Sequence, residues 1–477
     1  PDLFKVRSGP GVSVFGFQRT EARRRRQKTD GENWRMKHIY CSPSSLLFFG
    51  SKFSTDFAGN IMGKKIFGIV GLVFLLVYFL TLVLHISANV DQYQWDFRTH
   101  RKAGEIFASG LDPYDPRILF PQAQTKFLYN YPPVTLYFYK FFAQFSFKTA
   151  FHIFLIAKCM LLVGLIYFWK REFFKTNTTA LFCLFCLLAF NSAVYRDLIA
   201  GNINLVEQVF LWLAFFFYIK RRLILFCTFC LLAASFKMTP TFFLVLLLLA
   251  DDKKKYQYFV CSGLAFFAYL LIQYLIVPDM VTSAIQNAFA VVSERGNIVP
   301  STFTLISDVF KWLSENAGLA APQVIQFAIL AVFAAAVIVF THRAHARLVS
   351  AKLENRQMLE VFLVCLVYAL IHPRFKDYAY MLLIVPAFYI IMNNRFTKAN
   401  PFVIFFAILL YPPFIVPGTE IVFMFFWKYY PLMVAYAIWG MYLYEIFSTG
   451  KAPSRAPLPD EKRNKSIPKF KSEHRLA

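Results

Sequence analysis

Charged residues are scarce in this sequence of 477 residues: Asp, Glu, Lys and Arg make up 16% of it, whereas hydrophobic residues make up 58%. A soluble globular protein has about a quarter of its residues charged. Apolar runs of membrane-spanning length recur along most of the chain. The composition therefore excludes an ordinary soluble enzyme and predicts an all-α polytopic membrane protein.

The chain also lacks the signs of a disulfide framework, a metal centre or a nucleotide-sugar site. Two CxxC pairs, Cys183/Cys186 and Cys227/Cys230, lie inside apolar runs with no histidine or acidic residue beside them. Such cysteines on a buried helix mostly behave as small hydrophobic residues. No Asp-x-Asp motif stands in a soluble domain. We therefore expect a protein that uses neither a metal nor a cofactor.

Basic residues are concentrated in the two tails. Residues 1–61 hold 11 basic and 5 acidic residues, and residues 451–477 hold 8 basic and 3 acidic ones. Beside a membrane span, a basic tail indicates the cytoplasmic side and contact with anionic lipid headgroups. Nucleic-acid binding is the less simple interpretation. Because Met62 resembles a natural start, we expect residues 1–61 to be a disordered or non-native extension. Residues 62–450 then form the transmembrane domain, and residues 451–477 form a cytoplasmic tail.

The positive-inside rule gives each apolar run a direction, starting from Lys64 and Lys65 on the cytoplasmic side. The predicted topology has about twelve crossings, with a short interfacial helix at 134–145 and an outer segment at 278–320. Clusters that mix acids, bases and amides then fall on the outer face. The predicted crossings are residues 67–84, 150–169, 179–194, 205–218, the pair 223–235 and 241–250, 259–277, 322–340, 358–371, 379–392, 401–416 and 421–446.

One polar stretch, residues 96–133, separates the first two crossings and is the candidate wall of an active site. Asp96 is suited to take a proton from an attacking hydroxyl group as a general base. Asp91, Asp112 and Asp115 are rivals, although Asp112 and Asp115 also fit an ordinary turn. For Asp96 itself, the alternative is a solvated loop carboxylate.

Cationic side chains on the predicted outer face run against the positive-inside trend. Lys237 lies between two short apolar runs, and His372, Arg374 and Lys376 follow the ninth crossing. Cations at a membrane boundary can neutralise a lipid phosphate and stabilise it as a leaving group. The alternative is that these side chains simply reach the lipid headgroups.

Short motifs follow one another in a fixed order along the chain: Asp96-Phe97, Ala103, Gly110-x-Asp112-Pro113-Tyr114-Asp115-Pro116, Tyr131-Pro132-Pro133, Gly201-Asn202-Ile203-Asn204-Leu205 and Lys237-Met238-Thr239-Pro240. Their order and spacing resemble those of glycosyltransferase family 87, over roughly residues 62–450. The resemblance implies a GT-C-like bundle that moves a mannose-like hexose from a polyprenyl-phosphate donor to a lipid or glycan acceptor. It also implies inversion, an extracytoplasmic site and a place in the cell (inner) membrane.

The resemblance implies that Asp96 is the catalytic base. The predicted donor-phosphate ligands are Lys237, His372, Arg374 and Lys376. The predicted substrate contacts are Asp112, Tyr114, Tyr131, Arg196, Asn202 and Asn204. Two features depart from the family pattern: Asn202 stands where Gln is usual, and residues 372–377 differ from a Ser-Pro, aromatic and His pattern.

Two other functions suit a chain with many crossings. A transporter or flippase commonly has two similar halves and ionisable groups near the bilayer centre, but this chain shows no half-to-half repeat. A polymerase or ligase of lipid-linked polysaccharide shares the crossings, the outer stretch and the lipid-phosphate chemistry. The sequence favours the transferase and leaves the other two as alternatives.

Overall fold

A computed structural model of the chain describes residues 61–124, 127–174, 179–290, 299–319, 321–351, 355–393 and 420–448, with residues 61–67 and 420–424 described by their backbone alone. Two compact units, residues 1–66 and residues 67–477, divide the chain, and the fold below is that of the second. Nearly all of the predicted extension, the crossing at 401–416 and the basic tail lie outside the described residues.

Every regular element in the described ranges is a helix. Two of them are the 3-10 helices Thr239–Val245 and Asp377–Leu383. The α-helices are α1 (Ile61–Ala88), α2 (Trp95–Ala108), α3 (Pro116–Ala123), α4 (Val134–Ala143), α5 (Phe147–Phe173), α6 (Thr179–Ala200), α7 (Asn204–Ile219), α8 (Leu223–Phe236), α9 (Leu246–Leu249), α10 (Lys255–Ile276), α11 (Pro278–Ala290), α12 (Thr302–Ala317), α13 (Gln323–Ser350), α14 (Arg356–Ile371), α15 (Ile384–Asn393) and α16 (Glu420–Ser448).

Five of these helices, α1 from Gly68 onward, α5, α6, α10 and α13, are long and apolar enough to cross a membrane. Four shorter apolar segments join them: α7, α8, Thr239–Leu249 and Asp377–Asn393. Large apolar side chains such as Leu275 and Val332 are exposed on the long helices, as a lipid environment requires. The protein is therefore all-helical and membrane-embedded. The number of about twelve crossings stays a prediction.

The stretch after the first crossing, which the sequence presents as a loop, forms the helices α2 and α3. One face of α2 is buried and includes Phe97, His100, Ala103 and Gly104. A Cβ atom on Gly104 would lie 2.6 Å from the carbonyl carbon of Tyr139 in α4, so the two helix backbones are in direct contact. This contact fixes α2 against the bundle.

Helix α6 is broken near its middle, where Ala189 to Ser192 leave helical geometry. Phe190, Asn191 and Ser192 have positive φ angles, which non-glycine residues rarely adopt. The ring of Phe190 stacks on that of Tyr380, with 5.7 Å between the centroids. The break separates residues 179–188 of α6 from residues 193–200, which lead into the candidate site.

Candidate active site

The Asp96 carboxylate lies in the first turn of α2 and is only 7% exposed. Its Oδ2 atom accepts a hydrogen bond of 2.7 Å from the side-chain amide of Asn202. The first turn of a helix also favours a negative charge, because the unpaired backbone N–H groups point toward it. Asp96 is therefore a held, buried carboxylate rather than a solvated one. Its rival Asp91 is exposed.

Asn202 is the centre of the hydrogen-bond network around Asp96. Its amide nitrogen also donates to the hydroxyl of Tyr131 at 2.9 Å, and its Oδ1 atom accepts from the backbone N–H of Asn204 at 3.0 Å. The Asn204 side chain in turn donates to the backbone carbonyl of Tyr378 at 3.4 Å. Three predicted substrate contacts, Tyr131, Asn202 and Asn204, thus belong to one hydrogen-bond network with the predicted base.

Gly201 allows this turn to approach α2. It has a φ of +68°, and a Cβ atom there would lie 2.8 Å from Gln94 Cβ and 2.9 Å from Phe97 Cβ. Only glycine meets both requirements, the left-handed backbone and the missing side chain. The backbone N–H of Gln94 donates to the carbonyl of Ile199 at 2.5 Å and ties the two segments together.

Behind the turn lies a buried ion pair that the sequence reasoning missed. Lys158 in α5 and Asp197 in α6 are 1% and 0% exposed, with 2.6 Å between Nζ and Oδ2. The same Nζ atom donates to the backbone carbonyls of Asp197 at 2.6 Å and Asn202 at 2.8 Å. A lysine inside an apolar run was the available signal, because ionisable residues within membrane spans are costly and commonly functional.

Arg196 and Lys237, two of the predicted site residues, each lie beside a carboxylate. Arg196 Nε lies 3.8 Å from Asp377 Oδ2, and Lys237 Nζ lies 3.3 Å from Glu207 Oε2. Glu207 is 3% exposed and was not among the predicted site residues. The carboxylates hold the two cationic side chains in place at the helix ends.

Arg374 and Lys376 act electrostatically on the same groups as Asp96. Burial raises the pKa of Tyr131, the Asp96 carboxylate raises it further, and the Arg374 guanidinium opposes them. Lys376 Nζ lies 5.5 Å from the centroid of the Tyr378 ring. The loop between α14 and the following 3-10 helix thus brings its positive charges to the base.

His372 is neutral near pH 7. Burial, together with the charges of Lys237 and Arg374, lowers the pKa of His372 to about 3. Its Nδ1 atom accepts a hydrogen bond of 3.1 Å from the backbone N–H of Arg374. As a phosphate ligand, His372 would therefore act as a neutral hydrogen-bond donor through Nε2, and it also shapes the loop that carries Arg374.

His100 lies one helical turn after Asp96 and is another residue that the sequence reasoning missed. Burial lowers the pKa of His100 to about 4, since the opposing effect of Asp96 is smaller and Lys376 adds to the lowering. Its Nδ1 atom lies 3.0 Å from the hydroxyl of Tyr139, and its ring centroid lies 4.7 Å from that of Tyr131. His100 is thus part of an aromatic wall beside the carboxylate.

The two other aspartates of the outer stretch, Asp112 and Asp115, build turns. Asp112 accepts from the backbone N–H of Tyr114 at 2.9 Å, and Asp115 caps α3 through the backbone N–H of Arg117, also at 2.9 Å. The buried Tyr114 donates its hydroxyl to the carbonyl of Tyr131 at 2.6 Å. These contacts support the wall next to Tyr131, and the substrate contacts of Asp112 and Tyr114 stay predictions.

A second polar cluster lies at the opposite ends of two helices that reach the site. At that end of α14, Glu360 accepts hydrogen bonds from Tyr218 at 2.8 Å and from Arg356 at 2.6 Å. Arg356 also pairs with Asp251 at 2.7 Å. Because α7 begins at Asn204 and α14 ends beside His372, the residues around Asp96 share one set of helix ends.

The cysteines of the two CxxC pairs carry free thiols in the hydrophobic interior. Cys186, Cys227 and Cys230 are buried, and Cys183 is partly buried. The Cys230 thiol donates to the carbonyl of Pro240 at 3.2 Å. These cysteines therefore pack as small hydrophobic residues.

Residues 129–373 match the model of glycosyltransferase family 87. The match covers 245 of the 477 residues, which is more than half of the chain. The chain belongs to glycosyltransferase family 87. It is therefore a membrane glycosyltransferase, in agreement with a GT-C superfamily architecture, and the transporter and flippase alternatives lose their support. No curated protein matches the sequence.

The family 87 match includes some parts of the site and leaves out others. Tyr131, Asn202, Lys237 and His372 lie within residues 129–373, whereas Asp96 precedes this range. The hydrogen bond from Asn202 joins the matched region to the carboxylate of α2.

Proposed function

We propose that this glycosyltransferase moves a mannose-like hexose from a polyprenyl-phosphate donor to a lipid or glycan acceptor, with Asp96 as the general base. The observation that carries the proposal is the buried Asp96 carboxylate, held by the Asn202 amide at 2.7 Å beside a group of cationic side chains. A base next to cations suits a reaction in which a hydroxyl group loses a proton while a phosphate leaves.

The proposed reaction is a single displacement. The acceptor hydroxyl oxygen attacks the anomeric carbon of the hexose, and the bond between that carbon and the phosphate oxygen breaks with its electron pair on the phosphate. Asp96 receives the hydroxyl proton. Attack from the face opposite to the leaving group inverts the anomeric configuration. Neither a cofactor nor a nucleotide sugar takes part.

Compared with Asp197 and Glu207, Asp96 is better placed to meet an acceptor hydroxyl group. Asp197 and Glu207 each contact a lysine, at 2.6 Å and 3.3 Å. An acceptor hydroxyl would first have to displace that ammonium group from the carboxylate. In the described part of the chain, Asp96 accepts instead from the neutral amide of Asn202.

The cations contribute most when the leaving group departs. A phosphodiester donor carries one negative charge, whereas the released phosphomonoester carries about 1.5 to 2. Arg374, Lys376 and Lys237 therefore attract the transition state more strongly than the bound donor, which raises the rate and not merely the affinity.

The proposed site faces away from the cytoplasm, in the cell (inner) membrane. Positive charge at the opposite helix ends supports this orientation. Lys220, Arg221 and Arg222 follow α7, and residues 253–255 are all lysines. Such clusters favour the cytoplasmic side.

Reconstitution of the purified chain with labelled polyprenyl-phosphate hexoses tests the proposed function. Membranes of source cells that lack the gene supply the acceptor. We expect a glycosidic product from a lipid-linked donor, with inverted anomeric configuration by NMR spectroscopy. A product formed only from a nucleotide sugar, or one with retained configuration, would refute the proposal. Joining of preassembled oligosaccharides instead of single hexoses would favour a polymerase or ligase.

A further inference from the structure

We propose that Lys158 is a positioning residue for the transfer reaction. In this inference, which rests on the proposed function, Lys158 and Asp197 hold the turn at residues 197–204 so that Asn202 orients the Asp96 carboxylate. Lys158 is 1% exposed, and the hydrogen bonds described for it go to the backbone of Asp197 and Asn202 and not to Asp96. It acts through the backbone of Asn202.

Two hydrogen bonds in series connect Lys158 to the base. Lys158 Nζ donates to the backbone carbonyl of Asn202 at 2.8 Å, and the side chain of the same Asn202 donates to Asp96 at 2.7 Å. The contact from Nζ to the Asp197 carbonyl, at 2.6 Å, holds the other end of the turn. One ammonium group thus fixes the turn at two backbone positions.

Aromatic packing fixes the distance between Lys158 and α2. The rings of Phe97 and Phe154 are stacked, with 4.4 Å between their centroids. Phe97 follows Asp96 directly, and Phe154 lies one helical turn before Lys158. Lys158 Nζ lies 5.7 Å from the centroid of the Phe154 ring. The lysine and the base therefore belong to one rigid unit made from α2, α5 and the turn.

A purely structural role explains the ion pair poorly. Burying two charges is expensive, and well-packed hydrophobic residues of similar volume commonly serve stability as well or better. Both side chains are at most 1% exposed, and α5 is long and apolar enough to span a membrane. Ionisable residues in such segments are characteristic of functional sites. What the lysine offers beyond a hydrophobic residue is a set of directed donors to two carbonyl groups.

The double variant Lys158→Met/Asp197→Leu tests the inference, because it removes both charges and keeps similar volumes. We expect it to fold, to lose about a hundredfold in kcat, and to keep KM for a labelled polyprenyl-phosphate hexose within about twofold. A loss confined to kcat indicates a misplaced base, whereas general loosening of the site would also weaken donor binding. Folding is checked by thermal unfolding in detergent.

A matched control replaces the polar cluster at the opposite helix ends. The double variant Arg356→Met/Glu360→Gln removes an ion pair of 2.6 Å between a partly buried arginine and a buried glutamate, and this pair makes no described contact with the turn. We expect its kcat to stay within about twofold of wild type. An equal loss in this control would show that any buried ion pair matters for the fold, and would overturn the inference.

Combination with Asn202→Ala shows whether Lys158 acts through Asn202. If it does, the triple variant has the kcat of Asn202→Ala, since residues that act as a unit are not additive. Independent, multiplicative losses would contradict the inference. So would a double variant with wild-type kcat, or one that fails to reach the membrane in folded form, because the pair would then serve folding.

Asp96→Asn, measured in the same assay, separates this inference from the proposed function. If Asp96→Asn is inactive while the double variant behaves as wild type, the positioning role alone is wrong. If Asp96→Asn keeps full activity, Asp96 is not the base and both proposals fail.

Discussion

Replacement of Asn202 by Asp is a sharp perturbation of the site, because it changes the charge and keeps the shape. The amide nitrogen of Asn202 lies 2.7 Å from Asp96 Oδ2 and 2.9 Å from the Tyr131 hydroxyl, and Asn202 is 1% exposed. Asn202→Asp brings a second carboxylate oxygen to this position. Two carboxylates so close cannot both ionise at neutral pH, so one of them retains a proton.

The size of the effect follows from the hydrogen bond that is lost. A hydrogen bond to a charged group contributes about 1.5 to 3 kcal/mol, and each 1.36 kcal/mol in the barrier corresponds to about a factor of ten. Asn202→Ala should therefore reduce kcat by about 10-fold to 150-fold. Asn202→Asp should reduce it further near pH 7, because the shared proton blocks the base.

The assay is the pH dependence of kcat/KM for a labelled polyprenyl-phosphate hexose, with wild type, Asn202→Ala and Asn202→Asp at equal amounts of folded protein. We expect the activity of Asn202→Asp to rise at a higher pH than that of wild type, because the proton that the two carboxylates share leaves only at higher pH. Asn202→Gln, which introduces the usual family residue, should be the least impaired. Wild-type activity in Asn202→Asp at pH 7 would refute the role of this hydrogen bond.

Three other predictions concern the surroundings of the base. Arg374→Ala should lower kcat, and it should raise KM for the donor more than KM for the acceptor. Arg117→Ala, which changes a guanidinium on a 90% exposed side chain, should leave all three values unchanged. Equal effects of Arg374→Ala on the KM of both substrates would contradict a phosphate contact. Gly201→Ala should lower kcat by about tenfold or more, because the new Cβ would lie 2.8 Å from Gln94 Cβ; unchanged kinetics would show that the turn can shift. Since the pKa of His372 is lowered to about 3, its stabilising effect is present above its ordinary pKa of 6.5 and is lost as the pH falls toward 3. Thermal unfolding of His372→Asn should therefore depend less on pH in that range than that of wild type, and identical slopes would contradict this.

Most helices of the bundle could be predicted from the sequence, because long apolar runs carry their own signal. The run at 205–218 corresponds to α7, Asn204–Ile219, and the run at 358–371 to α14, Arg356–Ile371. The predicted topology places polar groups from distant parts of the chain on one face, and the hydrogen bond between Asp96 and Asn202 joins two such groups.

Helix α2 was missed as a helix because it mixes polar and apolar residues and follows a turn. Its buried face, with Phe97, His100 and Gly104, follows helical periodicity. The Asp, Pro and Tyr residues farther along the stretch dominate its composition and favour a loop. The outer segment after α10 likewise contains helices α11 and α12.

The Lys158–Asp197 pair was missed for a different reason. Their contact joins two helices, and no local pattern reveals which charged residue a lysine in an apolar run will meet. Asn287 of α11 gives a similar case, since its amide donates to the carbonyls of Tyr114 and Tyr129, both at 3.0 Å. Such contacts depend on the packing of distant segments, which only the structure provides.

In the proposed reaction, the Asp96 carboxylate of α2 activates the acceptor while the hexose leaves a lipid phosphate. The single-turnover rate of hexose transfer by Asp96→Asn, in vesicles that contain saturating polyprenyl-phosphate hexose, measures this role. We expect this variant to bind the donor and to fold as wild type does, yet to transfer the hexose at least about a thousandfold more slowly. Transfer at the wild-type rate would contradict this role.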